Sequence, residues 1–161
     1  MACYTTIITT EAQKFLPPEF ERCNMSEVDT IKNVTIVGIG TQGSMIAFRN
    51  ALYGKNVTGY SRTQPSIDTC KNKIEKWLAH FIEEGKLTKD EADAVRDRIH
   101  YATTLEEACK DADLVVENVP EKIEVKQAVF KQLDEVCPKH CYLNSVSYTH
   151  LRAHETLSDL V

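Results

Sequence analysis

Between Ile31 and about Asn144, short runs of β-branched and other apolar residues alternate with longer segments in which apolar residues recur every three or four positions. The short runs predict strands that are buried on both faces, because such strands form nearly continuous apolar stretches. The longer segments predict helices with one buried face. The predicted strands are Val34–Val37, Val57–Tyr60, Leu114–Val116 and one that begins at Cys141, and the predicted helices run from about Gly43 to Tyr53, from Ile67 to about Gly85 and from Ile123 to near Pro138. Strands separated by helices indicate an α/β fold with a parallel sheet and right-handed crossovers.

Two motifs between these elements predict helix starts. Thr88-Lys89-Asp90-Glu91 and Thr104-Leu105-Glu106-Glu107 both fit a capping box. In this motif the threonine hydroxyl accepts a hydrogen bond from an amide in the first turn, while the glutamate reaches back to the threonine amide. We therefore expect a helix to begin after each of these threonines.

Both ends of the chain depart from the alternation. Residues 1–30 show no sustained period, and Pro17-Pro18 interrupts any helix there. From about Val146 the chain turns polar where a sheet of this kind should continue, and Ser147–Thr156 resembles a translated sequencing-adapter sequence. We therefore expect three segments: a tail or linker over 1–30, a folded domain over 31–145 that is incomplete at its C-terminal end, and a non-native or disordered tail over 146–161.

The overall composition narrows the class of protein. A chain of 161 residues with 42% hydrophobic and 27% charged residues has room for one folded domain and is too apolar for wholesale disorder. Its net charge of −5 argues against a nucleic-acid partner, because neutralising phosphates needs a basic surface. No apolar run approaches the roughly 20 residues that a membrane span requires, and the six cysteines lack the spacing of a disulfide framework. We therefore expect a cytoplasmic protein with free thiols and without a nucleic-acid or membrane partner.

A glycine-rich segment connects the first predicted strand to the first predicted helix. Its sequence is Gly38-Ile39-Gly40-Thr41-Gln42-Gly43, a G-x-G-x-x-G pattern that is weak alone but informative between a strand and a helix. The first glycine permits the tight turn, the second lets the backbone approach a diphosphate, and the third lets helix and strand pack closely. We expect these six residues to bind the diphosphate of a dinucleotide through main-chain amides and the positive end of the helix dipole. The alternative is that the glycines serve only the turn.

The residues after the second predicted strand bear on which dinucleotide is bound. An NAD site usually places Asp or Glu there, where it accepts a hydrogen bond from the ribose 2′-hydroxyl, whereas this chain has Ser61-Arg62-Thr63. A serine hydroxyl and a guanidinium suit a 2′-phosphate, and the missing carboxylate removes repulsion toward it. We expect NAD or NADP as the cofactor, with Ser61 and Arg62 favouring NADP. The alternative is that Arg62 is a solvated loop residue.

A longer block, Ala112–Gln127 with the sequence ADLVVENVPEKIEVKQ, is more specific than the glycine loop. Together with that loop it resembles the NAD-binding domain of 3-hydroxyacyl-CoA dehydrogenases, from about Lys32 to Ser145. The resemblance implies a Rossmann-type fold, hydride transfer between the dinucleotide and a 3-hydroxyacyl-CoA, and a homodimer for the full-length protein. It also implies that Glu121 and Lys126 contact the dinucleotide. The alternative for both residues is a place on the solvated first turn of a helix.

The chain departs from this family on the substrate side. Trp77 and Glu84 stand where the family contacts coenzyme A with a small hydroxyl and a basic group, and Trp77 lies in an apolar stripe that favours a place in the core. The family's Asn-Thr-Ser-Ser segment is replaced, with Val146, Ser147 and Tyr148 in its place. The histidine that serves the family as general base has no counterpart in the sequence. We therefore assign no catalytic residue and expect this chain alone to be an inactive binding module.

Two other functions are open at this point. A β-hydroxyacid or 6-phosphogluconate-type NADP dehydrogenase domain often ends its second strand in a triplet like Ser61-Arg62-Thr63, although the block that contains Glu121 and Lys126 speaks against it. A non-catalytic dinucleotide-sensing module would account for the missing catalytic half.

Other groupings of reactive or charged residues favour structural roles. Cys137-x₃-Cys141 and His150-x₃-His154 are separated by eight residues, which is too few for the usual zinc-finger spacing of about 12, so we expect no metal site. The lysine run in the second predicted helix is interpreted as its solvated side, and it comprises Lys71, Lys73 and Lys76.

Overall fold

A computed structural model describes residues 30–120 and 122–145. Residues 1–29, the expected tail over 146–161 and the candidate site residue Glu121 therefore lie outside the described residues. The elements, in chain order, are β1 (Asn33–Val37), α1 (Thr41–Leu52), β2 (Asn56–Tyr60), α2 (Gln64–Glu83), α3 (Lys89–Asp97), β3 (Ile99–Ala102), α4 (Leu105–Cys109), β4 (Leu114–Glu117), α5 (Ile123–Val136) and β5 (Tyr142–Ser145). None of these helices is long and apolar enough to cross a membrane.

The strands form one parallel sheet in the order β3-β2-β1-β4-β5. The central strand, β1, ends at Val37, which lies opposite Tyr60 of β2 and Glu117 of β4. Glu117 in turn lies opposite Ser145 at the end of β5. From β1 the chain adds strands first on one side and then on the other, so that the strand order reverses beside β1. The predicted α/β fold with a parallel sheet and flanking helices is confirmed.

The sequence pattern predicts four of the five described strands but not β3. This strand has the sequence Ile-His-Tyr-Ala, in which Ile99 and Ala102 are buried and His100 is exposed. Four residues with an exposed histidine lack the continuous apolar run that identifies the other strands. Pairing with β2, where Ile99 lies opposite Val57, holds the segment in the sheet. The first helix also begins at Thr41, two residues before the predicted start.

Apolar side chains fill both faces of the sheet, which accounts for the uninterrupted apolar runs of the central strands. On one face the strands pack against α1, α2 and α3, and on the other they pack against α4 and α5. Fully buried members of the two layers include Ile36, Val57, Leu78, Val37, Val115 and Leu133. Trp77 packs at the margin of the first layer, with its ring centroid 5.5 Å from that of Phe48.

The two threonine motifs begin helices as predicted. At the start of α3 the capping box is complete, because the Thr88 hydroxyl accepts from the Glu91 amide and the Glu91 carboxylate accepts from the Thr88 amide. At the start of α4 the Thr104 hydroxyl accepts from the Glu107 amide at 3.3 Å. Both helices also carry acidic residues in the first turn, which the helix dipole favours.

Candidate functional site

A crevice of about 660 Å³ opens at the carboxyl edge of the sheet, beside the end of β1. In open α/β sheets, ligands bind outside the carboxyl ends of the strands, at the point where the strand order reverses. The walls of this crevice are the glycine loop after β1, the segment after β2 with the first turns of α2, and the segment after β4. Together they contribute Gly38, Gly40, Ser61, Arg62, Lys73 and Asn118, among others.

A larger cavity, of about 750 Å³, lies elsewhere on the sheet. It runs along the face of β1, β2 and β3 beside α4, and its lining includes Asn33, Thr58 and His100. These residues belong to the strands themselves and not to the loops that follow the carboxyl ends. The smaller crevice is therefore the better candidate for a dinucleotide site.

The three glycines of the loop occupy sterically different positions. Gly38 has φ +94°, and a Cβ there would lie 2.8 Å from the backbone oxygen of Asn118. A Cβ at Gly43 would lie only 2.0 Å from the backbone oxygen of Gly38, so the turn requires glycine at both ends. A Cβ at Gly40 would meet nothing within 4 Å. The fold therefore leaves open space at the glycine where a diphosphate is expected to approach the backbone.

The start of α1 carries no cap and no acidic residue in its first turn. The residue before the helix is Gly40, and Ser44 donates the first backbone hydrogen bond, to the Gly40 oxygen at 3.0 Å. The amides ahead of Ser44 are thus the donors that every helix start leaves without an intrahelical acceptor. They face an anion-binding position that also lies at the positive end of the helix dipole.

The remaining residues of the loop divide between core and surface. Ile39 is 3% exposed and belongs to the apolar core, so its side chain anchors the loop and only its main chain faces the crevice. Thr41 and Gln42 are exposed, and Gln42 lines the crevice.

Ser61 and Arg62 lie together on the wall formed by the segment after β2. The Ser61 amide continues the sheet by donating to Ala102 at 3.2 Å, and its hydroxyl accepts from the Thr63 amide at 3.4 Å. The Arg62 side chain is exposed and makes no ion pair with any described carboxylate. No acidic side chain is found among the described residues that line the crevice.

Lys73 lies on the same wall, and sequence reasoning missed it. Beyond the solvated side that the sequence predicts, its side chain is half-buried and its ammonium donates to the hydroxyl of Thr41 at 3.3 Å. The only signal that could have identified it is its position on α2, where Ser66, Thr69 and Lys73 recur every three or four residues and so share a face. All three line the crevice.

The opposite wall rests on a buried carboxylate, Glu117, at the end of β4. This side chain is 0% exposed, and it accepts from the Val119 amide at 2.5 Å and from the Ser145 hydroxyl at 2.7 Å. The Lys126 ammonium lies 3.3 Å from the same carboxylate. A buried charge requires such partners, and together they tie the segment after β4 to α5 and β5.

The two site residues that the family resemblance implies have different outcomes. Lys126 is 14% exposed and paired with Glu117, so the interpretation of this lysine as a solvated first-turn residue is wrong. It lies beneath the wall of the crevice and not among its lining residues. Glu121 falls outside the described residues, and its contact with a dinucleotide stays a prediction.

Asn118 presents a polar atom that the described protein does not satisfy. Its amide donates to Val37 at 2.8 Å and its side-chain Nδ2 donates to Val116 at 3.2 Å, but its Oδ1 is buried without a hydrogen-bond partner among the described residues. An unpaired buried acceptor is unfavourable. A hydroxyl or amide donor of a ligand in the crevice would satisfy it, so the open space at Gly40 and this orphaned oxygen both fit a bound dinucleotide.

The cysteines beside α5 are buried or half-buried thiols. Burial, with the neighbouring Cys137, raises the pKa of Cys141 to about 12, and burial likewise raises the pKa of the Cys109 thiol. Neutral thiols are poor nucleophiles and poor metal ligands. Within residues 30–120 and 122–145 no group of His, Cys, Asp and Glu side chains is arranged to hold a metal ion. The two histidines of the Cys/His spacing lie outside that part of the chain.

Comparison with known sequences identifies relatives of this domain. A profile of the family described as 3-hydroxyacyl-CoA dehydrogenase, NAD binding domain, matches residues 33–154. The chain is 37% identical over 115 residues to a probable 3-hydroxybutyryl-CoA dehydrogenase of Bacillus subtilis, which is 71% of this chain and 40% of that protein. It is 33% identical over 127 residues to a 3-hydroxyadipyl-CoA dehydrogenase of Escherichia coli, which is 76% of this chain and 26% of that protein.

Solved structures agree with the sequence relatives. The crystal structure of 3-hydroxybutyryl-CoA dehydrogenase from E. coli superposes with a TM-score of 0.70 at 32% identity, over 73% of this chain and 25% of that one. This chain spans less than half the length of each of these relatives.

Proposed function

Because the chain belongs to the family of 3-hydroxyacyl-CoA dehydrogenase NAD-binding domains, we propose that its crevice binds the nicotinamide dinucleotide of a hydride-transfer enzyme. The observation that carries the proposal is the start of α1, where uncapped amides face open space at Gly40. Such a helix start binds a diphosphate without a side-chain charge. When bound, the nicotinamide supplies hydride acceptance and donation.

Different residues of the crevice bind different parts of the dinucleotide. Main-chain amides of Gly38–Gly43 hold the diphosphate, and Ser61 and Arg62 bind the adenosine ribose at its 2′ position. Glu121 and Lys126 contact the dinucleotide on the β4 side, as the family resemblance implies, and Lys126 is held on that side by its pairing with Glu117. The Asn118 Oδ1 accepts a hydrogen bond from the ligand on the same side.

We further propose that NADP binds at least as well as NAD. Two observations support this preference. The described lining of the crevice carries no carboxylate that would bind the ribose 2′-hydroxyl and repel a 2′-phosphate. Arg62 is exposed beside Ser61, and a guanidinium binds phosphate through its planar fork.

For the whole protein we propose oxidation and reduction of a 3-hydroxyacyl-CoA in fatty-acid metabolism, as a homodimer in the cytoplasm. The family resemblance implies that the general base belongs to a part of the enzyme beyond this domain. The departures on the substrate side are supported by the packing. Trp77 packs against Phe48 at the margin of the core, and Glu84 pairs with Lys86 at 2.7 Å, so both side chains are engaged in internal contacts and neither position supplies the hydroxyl or the basic group.

The other two functions have less support. A 6-phosphogluconate-type domain retains only the Ser61-Arg62-Thr63 triplet in its favour, whereas the family match extends over residues 33–154. A sensing module is favoured by no described feature.

Binding of reduced dinucleotides tests the proposal directly. Purified chain is titrated with NADH and NADPH, and bound nicotinamide is followed by its fluorescence while circular dichroism verifies folding. We expect saturable binding of both, with NADPH bound at least as tightly. Failure of a folded preparation to bind either at millimolar concentration would overturn the proposed function. A preference for NADH of about tenfold or more, which is about 1.4 kcal/mol, would overturn only the NADP preference.

A further inference from the structure

The ammonium of Lys73 lies beside the helix start at which a bound diphosphate is expected. We infer that Lys73 is a dinucleotide-binding residue whose ammonium pairs with the diphosphate. The inference rests on the proposed function and adds to it a side-chain cation that the glycine loop does not require. It also differs from the expected role of Arg62, which concerns the ribose 2′ position.

The geometry of α2 delivers this side chain to the loop. Ile67, Cys70 and Ile74 are buried in the core. Lys73 follows Cys70 by three residues and directly precedes Ile74, so its aliphatic stem begins at the border of the core. Its side chain lines the crevice. Its Nζ reaches the hydroxyl of Thr41, the first residue of α1, at 3.3 Å. An ammonium has three donors, so this single contact leaves donors for an anion at the same helix start.

The electrostatic surroundings of Lys73 favour an anionic partner that the described protein does not supply. None of the described carboxylates lies within 4 Å of the Lys73 ammonium, whereas Lys86 pairs with Glu84 and Lys126 with Glu117. A cation at a helix N-terminus also faces the positive end of the dipole, which is unfavourable. A diphosphate bound between the ammonium and the amides of α1 would give Lys73 an anionic partner and would offset the unfavourable effect of the dipole.

The position on the crevice wall distinguishes the diphosphate from a 2′-phosphate. Lys73 touches α1 itself, whereas Ser61 and Arg62 follow β2. In this fold the diphosphate lies at the helix start and the adenosine ribose lies at the end of the second strand. Because NADH and NADPH share the diphosphate, loss of the Lys73 charge is expected to weaken both by the same factor, whereas loss of Arg62 is expected to weaken NADPH alone.

The test compares Lys73→Met, which keeps the apolar stem, with Lys73→Arg and with the matched control Lys76→Met. Lys76 is an exposed lysine of the same helix that does not line the crevice. Dissociation constants for NADH and NADPH are measured by nicotinamide fluorescence at low and high salt. We expect Lys73→Met to weaken both about tenfold, as for loss of one charge-assisted hydrogen bond, with a smaller difference at high salt. Lys73→Arg is expected to retain most of the affinity, and Lys76→Met is expected to change it less than about twofold.

The results of the Lys73 variants and of the wild-type protein test two different claims, the role of Lys73 and the proposed function. Unchanged affinity of Lys73→Met for both dinucleotides, or weakening of NADPH alone, would overturn the assignment to the diphosphate. Equal weakening without rescue by arginine, together with a lower unfolding midpoint, would make Lys73 a structural residue and would also overturn it. Wild-type protein that binds neither dinucleotide would overturn the proposed function itself, which the Lys73 variants do not test.

Discussion

Two sets of backbone amides at opposite edges of the parallel sheet, at the start of β1 and at the start of α1, have different partners. At the amino edge, the amides of Lys32 and Asn33 both donate to the Asp113 carboxylate at 2.8 Å, so the chain supplies its own anion. At the carboxyl edge, the start of α1 has no acidic residue and no side-chain cap. The difference teaches that donors at the start of β1 are satisfied internally, whereas those at the start of α1 have no side-chain cap at the place where we propose that the diphosphate binds.

The carboxyl edge is itself divided along the crevice. On the β2 side the cations Arg62 and Lys73 have no described carboxylate partner, whereas on the β4 side Glu117 and Lys126 pair with each other. One wall therefore offers unneutralised positive charge in a chain whose net charge is −5. The wall on the β4 side is held in place by an internal ion pair. Its charges neutralise each other, so its contribution to binding depends more on where its groups lie than on net charge.

The largest effect is expected from the glycine loop at the carboxyl edge. In Gly43→Ala the new Cβ would lie 2.0 Å from the Gly38 oxygen, so the backbone must shift. We expect a loss of about 3 kcal/mol in the free energy of unfolding and a loss of dinucleotide affinity of about a hundredfold or more, measured by urea unfolding and NADH fluorescence. The matched control is Gly40→Ala, whose Cβ meets no protein atom within 4 Å. It is expected to leave stability unchanged and to weaken binding about tenfold, because the methyl group occupies space beside the amides. Equal stability of the two variants would contradict the steric division of the loop.

The wall on the β4 side of the crevice is expected to be destabilised by loss of the Glu117 carboxylate. Glu117→Leu removes the carboxylate that pairs with the Lys126 ammonium and accepts from the Val119 amide and the Ser145 hydroxyl. We expect the free energy of unfolding to fall by about 2 kcal/mol, toward the lower end for a broken buried pair because Lys126 keeps some contact with water. The comparison variant, Arg62→Gln, removes a cation without a described partner and is expected to change stability by less than about 0.5 kcal/mol. If urea unfolding gave the same loss for both, the distinction between the two walls would fail.

The parts of this molecule that are readable from sequence are those whose signal is local. Buried strands are recognised as apolar runs, and the glycine loop lies within six consecutive residues. The fold and the position of the crevice can therefore be predicted from the sequence. The strand β3 is missed because its residues are held by pairing with β2 and not by their own pattern. Lys73 and Glu117 are missed as contributors to the crevice for a related reason. Thr41 lies 32 residues from Lys73, and Ser145, one partner of Glu117, lies 28 residues from it, and no local pattern encodes contacts over such separations.

A smaller effect is expected from a new carboxylate on the β2 side of the crevice. Ser61→Asp restores an acidic side chain at the end of β2, where it can accept from the ribose 2′-hydroxyl and repel a 2′-phosphate. We expect the ratio of NADPH to NADH affinity to fall by about tenfold, which is about 1.4 kcal/mol, in paired fluorescence titrations. Ser61→Asn has a side chain of nearly the same shape without the charge, and it isolates the electrostatic part. If the aspartate weakened both dinucleotides equally, Ser61 would not lie at the 2′ position.

The smallest effect is expected at the amino edge, where a substitution is expected to change stability without changing dinucleotide affinity. Although partial burial favours the neutral acid, hydrogen bonds from the amides of Asn33 and Lys32, together with His140, hold the pKa of Asp113 below its usual range. A carboxylate with a lowered pKa stabilises the folded state fully above the unfolded value of about 4, and that contribution is lost as the pH falls through the lower folded value. Asp113→Asn is therefore expected to lower the free energy of unfolding by about 1 kcal/mol at neutral pH and to flatten its decline below pH 4. The control Asp111→Asn removes an exposed carboxylate 3.9 Å from Lys110 and is expected to have no such effect. Dinucleotide affinity at neutral pH is expected to be the same in both variants and the wild type, and a weaker affinity in Asp113→Asn alone would show that the two edges do not act independently.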